Sequence, residues 1–301
     1  MSYRIRTVDV FTERALAGNQ LAVVLGADGI PSELMQAIAK EMNLSETVFV
    51  LKPELTGSAA RVRIFTPGTE LPFAGHPTIG TAWVLWDEGL VPWNAEEFVL
   101  EEGVGPVRVR VDRSGPVTRF WMTHPAASFG RRFENRAAVA GALGLGVEAL
   151  VEGVPIQAVS TGVPFTFVAL RGRAEVDAAI SDGRALAGAL GPEGPVQVFL
   201  FAAARPHQLY SRMFWPESGI VEDPATGSAS GPLGVFAVRY GLVPAADVVS
   251  IVSEQGTKMG RQSFVHIELG YPPGSELPSR IEVGGSAVPV LTGTIEADTT
   301  G

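Results

Sequence analysis

The chain has 301 residues, 46% of them hydrophobic and 18% charged, which excludes an intrinsically disordered protein and fits one large domain or two of ordinary size. A net charge of −9 with no cluster of Lys and Arg argues against a nucleic-acid partner, because neutralising phosphates requires such a cluster. The absence of cysteine excludes disulfides, thiolate metal sites and cysteine nucleophiles, and fits a cytoplasmic protein.

In chain order, residues 5–10 and 21–25 read as strands, with no unbroken apolar stretch at the start that would make a signal peptide. Leu34, Met35, Ile38, Ala39 and Met42 then recur at helical spacing, with Ser32 as the expected N-cap and Asn43 as the stop. Strands follow at 47–51 and 60–65. Residues 77–88 are apolar around most of a helical circumference, which requires a buried helix. Strands at 98–100 and 107–111 close the first half.

The second half repeats the mixture. An Ala-rich helix is expected around 176–190, strands at 196–201 and 209–214, and a second all-apolar helix through Leu233, Val235, Phe236, Ala237 and Val238. Gly89 and Gly241 stand where C-cap glycines belong. The longest apolar run, Val198 to Ala204, falls far short of the roughly 18 residues that span a bilayer, so a soluble protein without a membrane partner is expected.

Three echoes in the same order, each offset by about half the chain, indicate a duplication. Arg63-Ile64-Phe65-Thr66-Pro67 is matched by Arg212-Met213-Phe214-Trp215-Pro216, and Val48-Phe49-Val50 by Val198-Phe199-Leu200. Gly18 precedes one strand as Gly162 precedes another. The economical architecture is α+β: a curved sheet around one central helix, built twice, with the boundary near residue 120.

The starts of the two apolar helices carry the most suggestive chemistry. Gly75-His76-Pro77 places Pro at the expected first helical position and leaves backbone donors around His76, Thr78 and Ile79. Asp223-Pro224-Ala225-Thr226-Gly227-Ser228-Ala229 enters the other helix. Each is either an ordinary helix start or an anion site; if the halves face each other, both would hold one carboxylate. Glu46 opens an apolar strand and shares a face with Val48 and Val50, so it is either a partly buried acid–base group or part of a polar turn.

Other patterns lack the context they need. The histidines at 76, 124, 207 and 266 show no metal-ligand spacing, so no metal is implied. Gly144-x-Gly146-x-x-Ala149 follows a helical stretch rather than a strand and reads as a helix-end turn, not a dinucleotide site. Gly227-Ser228-Ala229-Ser230-Gly231 has Ala229 where a nucleophile elbow needs serine. His124-Pro125 with Phe120, Trp121 and Phe129 reads as strand-to-loop packing.

Four linked segments nevertheless resemble one family across nearly the whole chain. They are Asp9-Val10-Phe11 with Gly18-Asn19, Ser45-Glu46-Thr47-Val48-Phe49, Arg63-Ile64-Phe65-Thr66-Pro67 with Leu71-Pro72-Phe73-Ala74-Gly75-His76-Pro77-Thr78, and Glu222-Asp223-Pro224-Ala225-Thr226-Gly227-Ser228-Ala229. Together they resemble the PhzF family of phenazine-biosynthesis-type isomerases. The resemblance implies a diaminopimelate-epimerase-like fold with two pseudo-symmetric domains, taken as 1–118 plus 286–301 and 119–285, and an active site between them.

It also implies a cofactor-independent isomerase, in the best-known case acting on trans-2,3-dihydro-3-hydroxyanthranilate, and a homodimer. On that resemblance Glu46 is the proton-shuttling residue, and His76 and Asp223 are its catalytic companions. Ser45, Gly75, Gly227 and Ser228 bind the substrate, with the two glycines supplying backbone N–H groups to its carboxylate. The related two-cysteine racemisation is excluded here, since the chain has no cysteine. The chain has Gly18-Asn19-Gln20 where the family commonly has Gly-Asn-Pro. The alternatives are a non-catalytic small-molecule-binding or interaction protein on the same scaffold, and a hydrolase or lyase with Ser228 as nucleophile.

Overall fold

The computed structural model describes residues 1–192, 194–216 and 220–297. The chain divides into two compact units, Met1–Thr123 with the chain from Gly284 onward, and His124–Val283. Residues 298–301, the end of the expected first domain, lie outside the described residues.

The elements of the first unit are β1 (Ser2–Val10), β2 (Asn19–Leu25), α1 (Ser32–Met42), β3 (Glu46–Leu51), β4 (Ala60–Phe65), β5 (Glu70–Leu71), α2 (Gly75–Asp87), β6 (Glu97–Glu102), β7 (Gly105–Asp112) and β8 (Arg119–Thr123). The second unit holds β9 (Ser128–Phe133), α3 (Arg136–Ala142), β10 (Ile156–Ser160), β11 (Pro164–Ala169), α4 (Arg173–Ala178), α5 (Gly183–Leu190), β12 (Val198–Arg205), β13 (Gln208–Trp215), β14 (Ile220–Asp223), α6 (Gly227–Arg239), β15 (Val248–Gln255) and β16 (Ser263–Gly270). After β17 (Arg280–Gly285), β18 (Ala287–Glu296) returns to the first unit and pairs with β1.

The duplication is visible in the strand pairing of each unit taken by itself. In the first, β1–β2 is antiparallel, β2–β3 parallel, β3–β4 antiparallel, β4–β6 parallel and β6–β7 antiparallel. In the second, β10–β11, β11–β12, β12–β13, β13–β15 and β15–β16 repeat that alternation. A short strand and then a central helix interrupt each set at the same place, β5 and α2 in one unit, β14 and α6 in the other. The chain thus has the α+β epimerase-like architecture expected from its sequence.

Both central helices are buried along most of their length because they are apolar all round. α2 packs against β1, β2, β3, β8 and β18, and α6 against β10, β11 and β16. Gly80 lets α2 approach the sheet: a Cβ there would lie 2.6 Å from Leu21 Cδ2 and 2.7 Å from Val10 Cγ2. In the second unit Phe236 of α6 stacks on Phe167 at 5.6 Å and meets Phe201 edge-on at 5.8 Å between ring centroids. Each such side chain taken from water contributes about 1.5–3 kcal/mol. Both helices end in the same motif. The N–H of Gly89 reaches Trp86 O and that of Leu90 reaches Leu85 O, as Gly241 reaches Val238 and Leu242 reaches Ala237.

Several local expectations are corrected. Ser32 is the first helical residue rather than the cap; Pro31 precedes it, and Ser32 Oγ instead accepts from Arg63 Nη1 at 3.0 Å. Asn43 does stop α1, in the left-handed conformation at φ 50°. The single helix expected over 176–190 is two, because the chain turns extended at Ala179 and Asp182 starts α5 by accepting from the Ala185 N–H at 3.0 Å. Pro77 is the third residue of α2, which begins at Gly75. Phe120 and Trp121 lie in β8 and Phe129 in β9, while His124 and Pro125 fall in the loop between those strands.

Candidate functional site

In the first unit, three elements bring a carboxyl and an imidazole together. β3 runs parallel to β2 with Glu46 beside Leu21, and α2 lies over both strands with His76 as its second residue. Glu46 Oε2 stands 3.4 Å from His76 Nε2, and both side chains are largely buried, at 13% and 6% exposure. Asn19, the first residue of β2, places its Nδ2 3.2 Å from the other ring nitrogen of His76. Gly18 delivers Asn19 from a left-handed turn at φ 69°, where a Cβ would lie 2.4 Å from Val10 O.

Burial lowers the His76 pKa to about 3, against an opposing backbone hydrogen bond to Gln20, so the ring is neutral across the ordinary pH range. The Glu46–His76 contact is therefore not an ion pair. The two atoms approach to 3.4 Å without a hydrogen bond between them.

Around this pair, Gly75 and His76 are the first two residues of α2, so their N–H groups have no acceptor within the helix. Thr78 is already engaged: its N–H reaches Ala74 O at 3.3 Å and its hydroxyl reaches the same oxygen at 2.8 Å. Of the donors that the sequence placed at this helix start, Thr78 is thus engaged, while the N–H groups of Gly75 and His76 have no acceptor within α2. Ser45 precedes β3 and is half-buried.

The second unit brings together Asp223, Gly227 and Ser228. Asp223 ends β14 and is buried, with Oδ2 accepting from Thr226 Oγ1 at 2.5 Å. Gly227 and Ser228 are the first two residues of α6, the positions that Gly75 and His76 hold in α2. Gln255, fully buried at the end of β15, fixes this start. Its Nε2 donates to Asp223 O at 2.7 Å and to Thr226 Oγ1 at 2.9 Å, and its Oε1 accepts from the Thr226 N–H at 3.1 Å.

Sequence reasoning singled out neither Asn19 as a ring partner nor Gln255 as a brace. Asn19 stood in a quoted segment, and Gln255 ends an alternating strand on its inward face. Among the described residues there is no cluster of three or more His, Cys, Asp or Glu able to hold a metal, and no helix long and apolar enough to cross a membrane.

The family model for phenazine biosynthesis-like protein, PhzC-PhzF, matches residues 8–293. The chain is 37% identical over 292 residues to trans-2,3-dihydro-3-hydroxyanthranilate isomerase of Pseudomonas aeruginosa, covering 97% of this chain and 98% of that one. Among solved structures, it is similar to a Bacillus anthracis phenazine biosynthesis protein of the PhzF family, with a TM-score of 0.91 at 26% identity, covering 99% of this chain and 100% of that one. A predicted epimerase from Pseudomonas aeruginosa superposes with a TM-score of 0.80 at 29% identity, over 98% of this chain and 100% of that one. The chain therefore belongs to the PhzF family and is an isomerase.

Proposed function

We propose that this isomerase moves a proton between two carbons of a small carboxylate-bearing substrate, with Glu46 as both base and acid and without a cofactor. The observation that carries the reading is the buried 3.4 Å contact between Glu46 and a neutral His76. A neutral partner lets the carboxyl exist with or without its proton, which is what a single shuttling group requires. The C–H electron pair is delocalised toward the substrate carboxylate as Glu46 takes the proton, and Glu46, its carboxyl hydrogen exchanging with solvent before delivery, returns a proton at a second carbon, so the reaction is redox-neutral.

The N–H groups of Gly75 and His76 are assigned to the negative charge that builds in this step. Asp223 is the second unit's proposed catalytic companion to Glu46 and His76, and Gly227, Ser228 and, in the first unit, Ser45 are proposed substrate-binding residues. The substrate class proposed is a cyclic amino or hydroxy acid, a reading supported by the name of the Pseudomonas relative, trans-2,3-dihydro-3-hydroxyanthranilate isomerase. A homodimer in the cytoplasm is part of the same proposal.

The test is incubation of the protein with trans-2,3-dihydro-3-hydroxyanthranilate and a panel of cyclic amino and hydroxy acids in deuterated water, read by mass spectrometry and NMR. Deuterium at one carbon of one panel member supports the reading. No exchange across the whole panel rejects it in favour of a binding protein.

A further inference from the structure

Glu102 is a buried acid that the proposed proton transfer does not use. It ends β6 on the face shared by Phe98 and Leu100, is 7% exposed, and places Oε1 2.6 Å from Thr78 Oγ1 in the first turn of α2. Its Oε2 is buried without a hydrogen-bond partner among the described residues.

The hydrogens at this spot can be counted. Thr78 has one hydroxyl hydrogen, yet its oxygen lies 2.6 Å from the Glu102 carboxyl and 2.8 Å from Ala74 O, which has no hydrogen to give. Both contacts are satisfied together only if Glu102 carries a proton and donates it to Thr78, while Thr78 donates to Ala74. An ionised Glu102 would also leave a charged oxygen buried and unpaired, far costlier than an unpaired neutral carbonyl.

The duplication supplies an internal control. Arg63 makes a two-pronged ion pair with Glu70 at 2.7 Å, and Arg212 makes the corresponding one with Glu222 at 2.8–2.9 Å, which fixes the alignment of β4 with β13. On the neighbouring parallel strands, Arg61 stands beside Glu101 and Tyr210 beside Glu254. The next residues, Glu102 and Gln255, are therefore equivalent. The helix starts agree, since Ser230 donates to Thr226 O at 2.9 Å as Thr78 does to Ala74 O. Where one unit braces its helix start with a permanently neutral amide, the other uses a carboxyl.

We propose that Glu102 is a positioning residue that works as a neutral acid: protonated, it braces the start of α2 through Thr78 and Ala74, and on losing its proton it opposes binding of a substrate carboxylate there. The inference rests on the role proposed above for the N–H groups of Gly75 and His76 in holding the substrate's negative charge.

Burial pushes the Glu102 carboxyl up to about 8, with the Thr78 hydrogen bond pulling the other way. The charged groups on elements packed against it are few. β4 carries Arg61, paired with Glu54, and Arg63, paired with Glu70 of β5. Glu101, beside it on β6, accepts from the N–H groups of Glu54 and Leu55. β7 sets uncharged Gly105 opposite it, and the titratable group at the start of α2 is neutral His76.

The test compares wild type with Glu102→Gln between pH 6 and 10. Infrared difference spectra of the ligand-free protein should show a carboxylic-acid carbonyl band in the wild type that titrates near pH 8 and is missing in the variant. In the steady state, with trans-2,3-dihydro-3-hydroxyanthranilate as the probe, wild-type KM should rise about tenfold above that pH while the KM of Glu102→Gln stays flat. An absent band, or one that has titrated below pH 6, overturns the inference whatever the turnover. A titrating band with a KM equally pH-independent in both proteins overturns the positioning role. If no panel compound turns over, the functional reading fails and with it the link to substrate, while the infrared result still decides whether Glu102 is a neutral brace.

Discussion

His76 Nε2 lies 3.4 Å from Glu46 Oε2 in the first unit, where the ring is neutral and the carboxyl largely out of solvent. The pair joins a strand start and a helix start separated by the whole of β4 and β5. Its geometry depends on how closely α2 settles on β2 and β3, and the predictions below address that seating, the charge states around it and the pair itself.

Gly80→Ala should lower stability by about 1–3 kcal/mol, because the added methyl meets Val10 and Leu21, neither of which has free space to retreat into. Denaturant unfolding checks this. The same displacement of α2 should also reduce turnover, since His76 sits one turn before Gly80.

Acid should destabilise the fold through its buried histidines. Burial lowers His76 from 6.5 to about 3 and His124 to about 4, so between those values and 6.5 the unfolded chain binds protons that the native one refuses. Their contribution is complete above pH 6.5 and is lost as pH falls toward 3–4. Melting temperatures measured from pH 7 to 4 should fall, and His124→Gln should fall less steeply than wild type. His124 Nδ1 lies 2.8 Å from Thr161 Oγ1, a contact that an amide can keep.

The two equivalent arginines should respond unequally. Arg212 is buried, stacks over Phe214 at 4.7 Å, pairs with Glu222 and donates to the carbonyls of Val176 at 3.0 Å and Ala179 at 2.7 Å. A lysine cannot reproduce that fork, so Arg212→Lys should cost about 1.5–3 kcal/mol. Arg63 makes the same ion pair at a more exposed site, and Arg63→Lys should cost about 0–1 kcal/mol. Parallel urea titrations check the difference.

Much of this was legible in the sequence because it is repeated there. The Arg-x-Phe echo marks equivalent strands, and the all-apolar stretches mark the two central helices, since burial on every side leaves only one place for them. Glu46 and His76 were found through motifs at the ends of those elements. What escaped depends on register rather than composition. The break at Ala179 follows from Asp182 capping α5, which competes with continuing one Ala-rich helix. Glu102 lies beyond the strand expected at 98–100, although period-two alternation from Phe98 and Leu100 carries on to it and puts it on the inward face. Its meaning appears only when Gln255 is found in the matching place.

The most direct test of the proton-transfer account is the rate of solvent deuterium incorporation by Glu46→Gln, measured beside its affinity for the same carboxylate substrate. The amide keeps the shape of the side chain and the contact with His76 but cannot carry the proton back and forth. Binding should stay within a few fold of wild type while exchange falls by about 10²–10⁴. Exchange at the wild-type rate in a correctly folded Glu46→Gln protein would contradict the account.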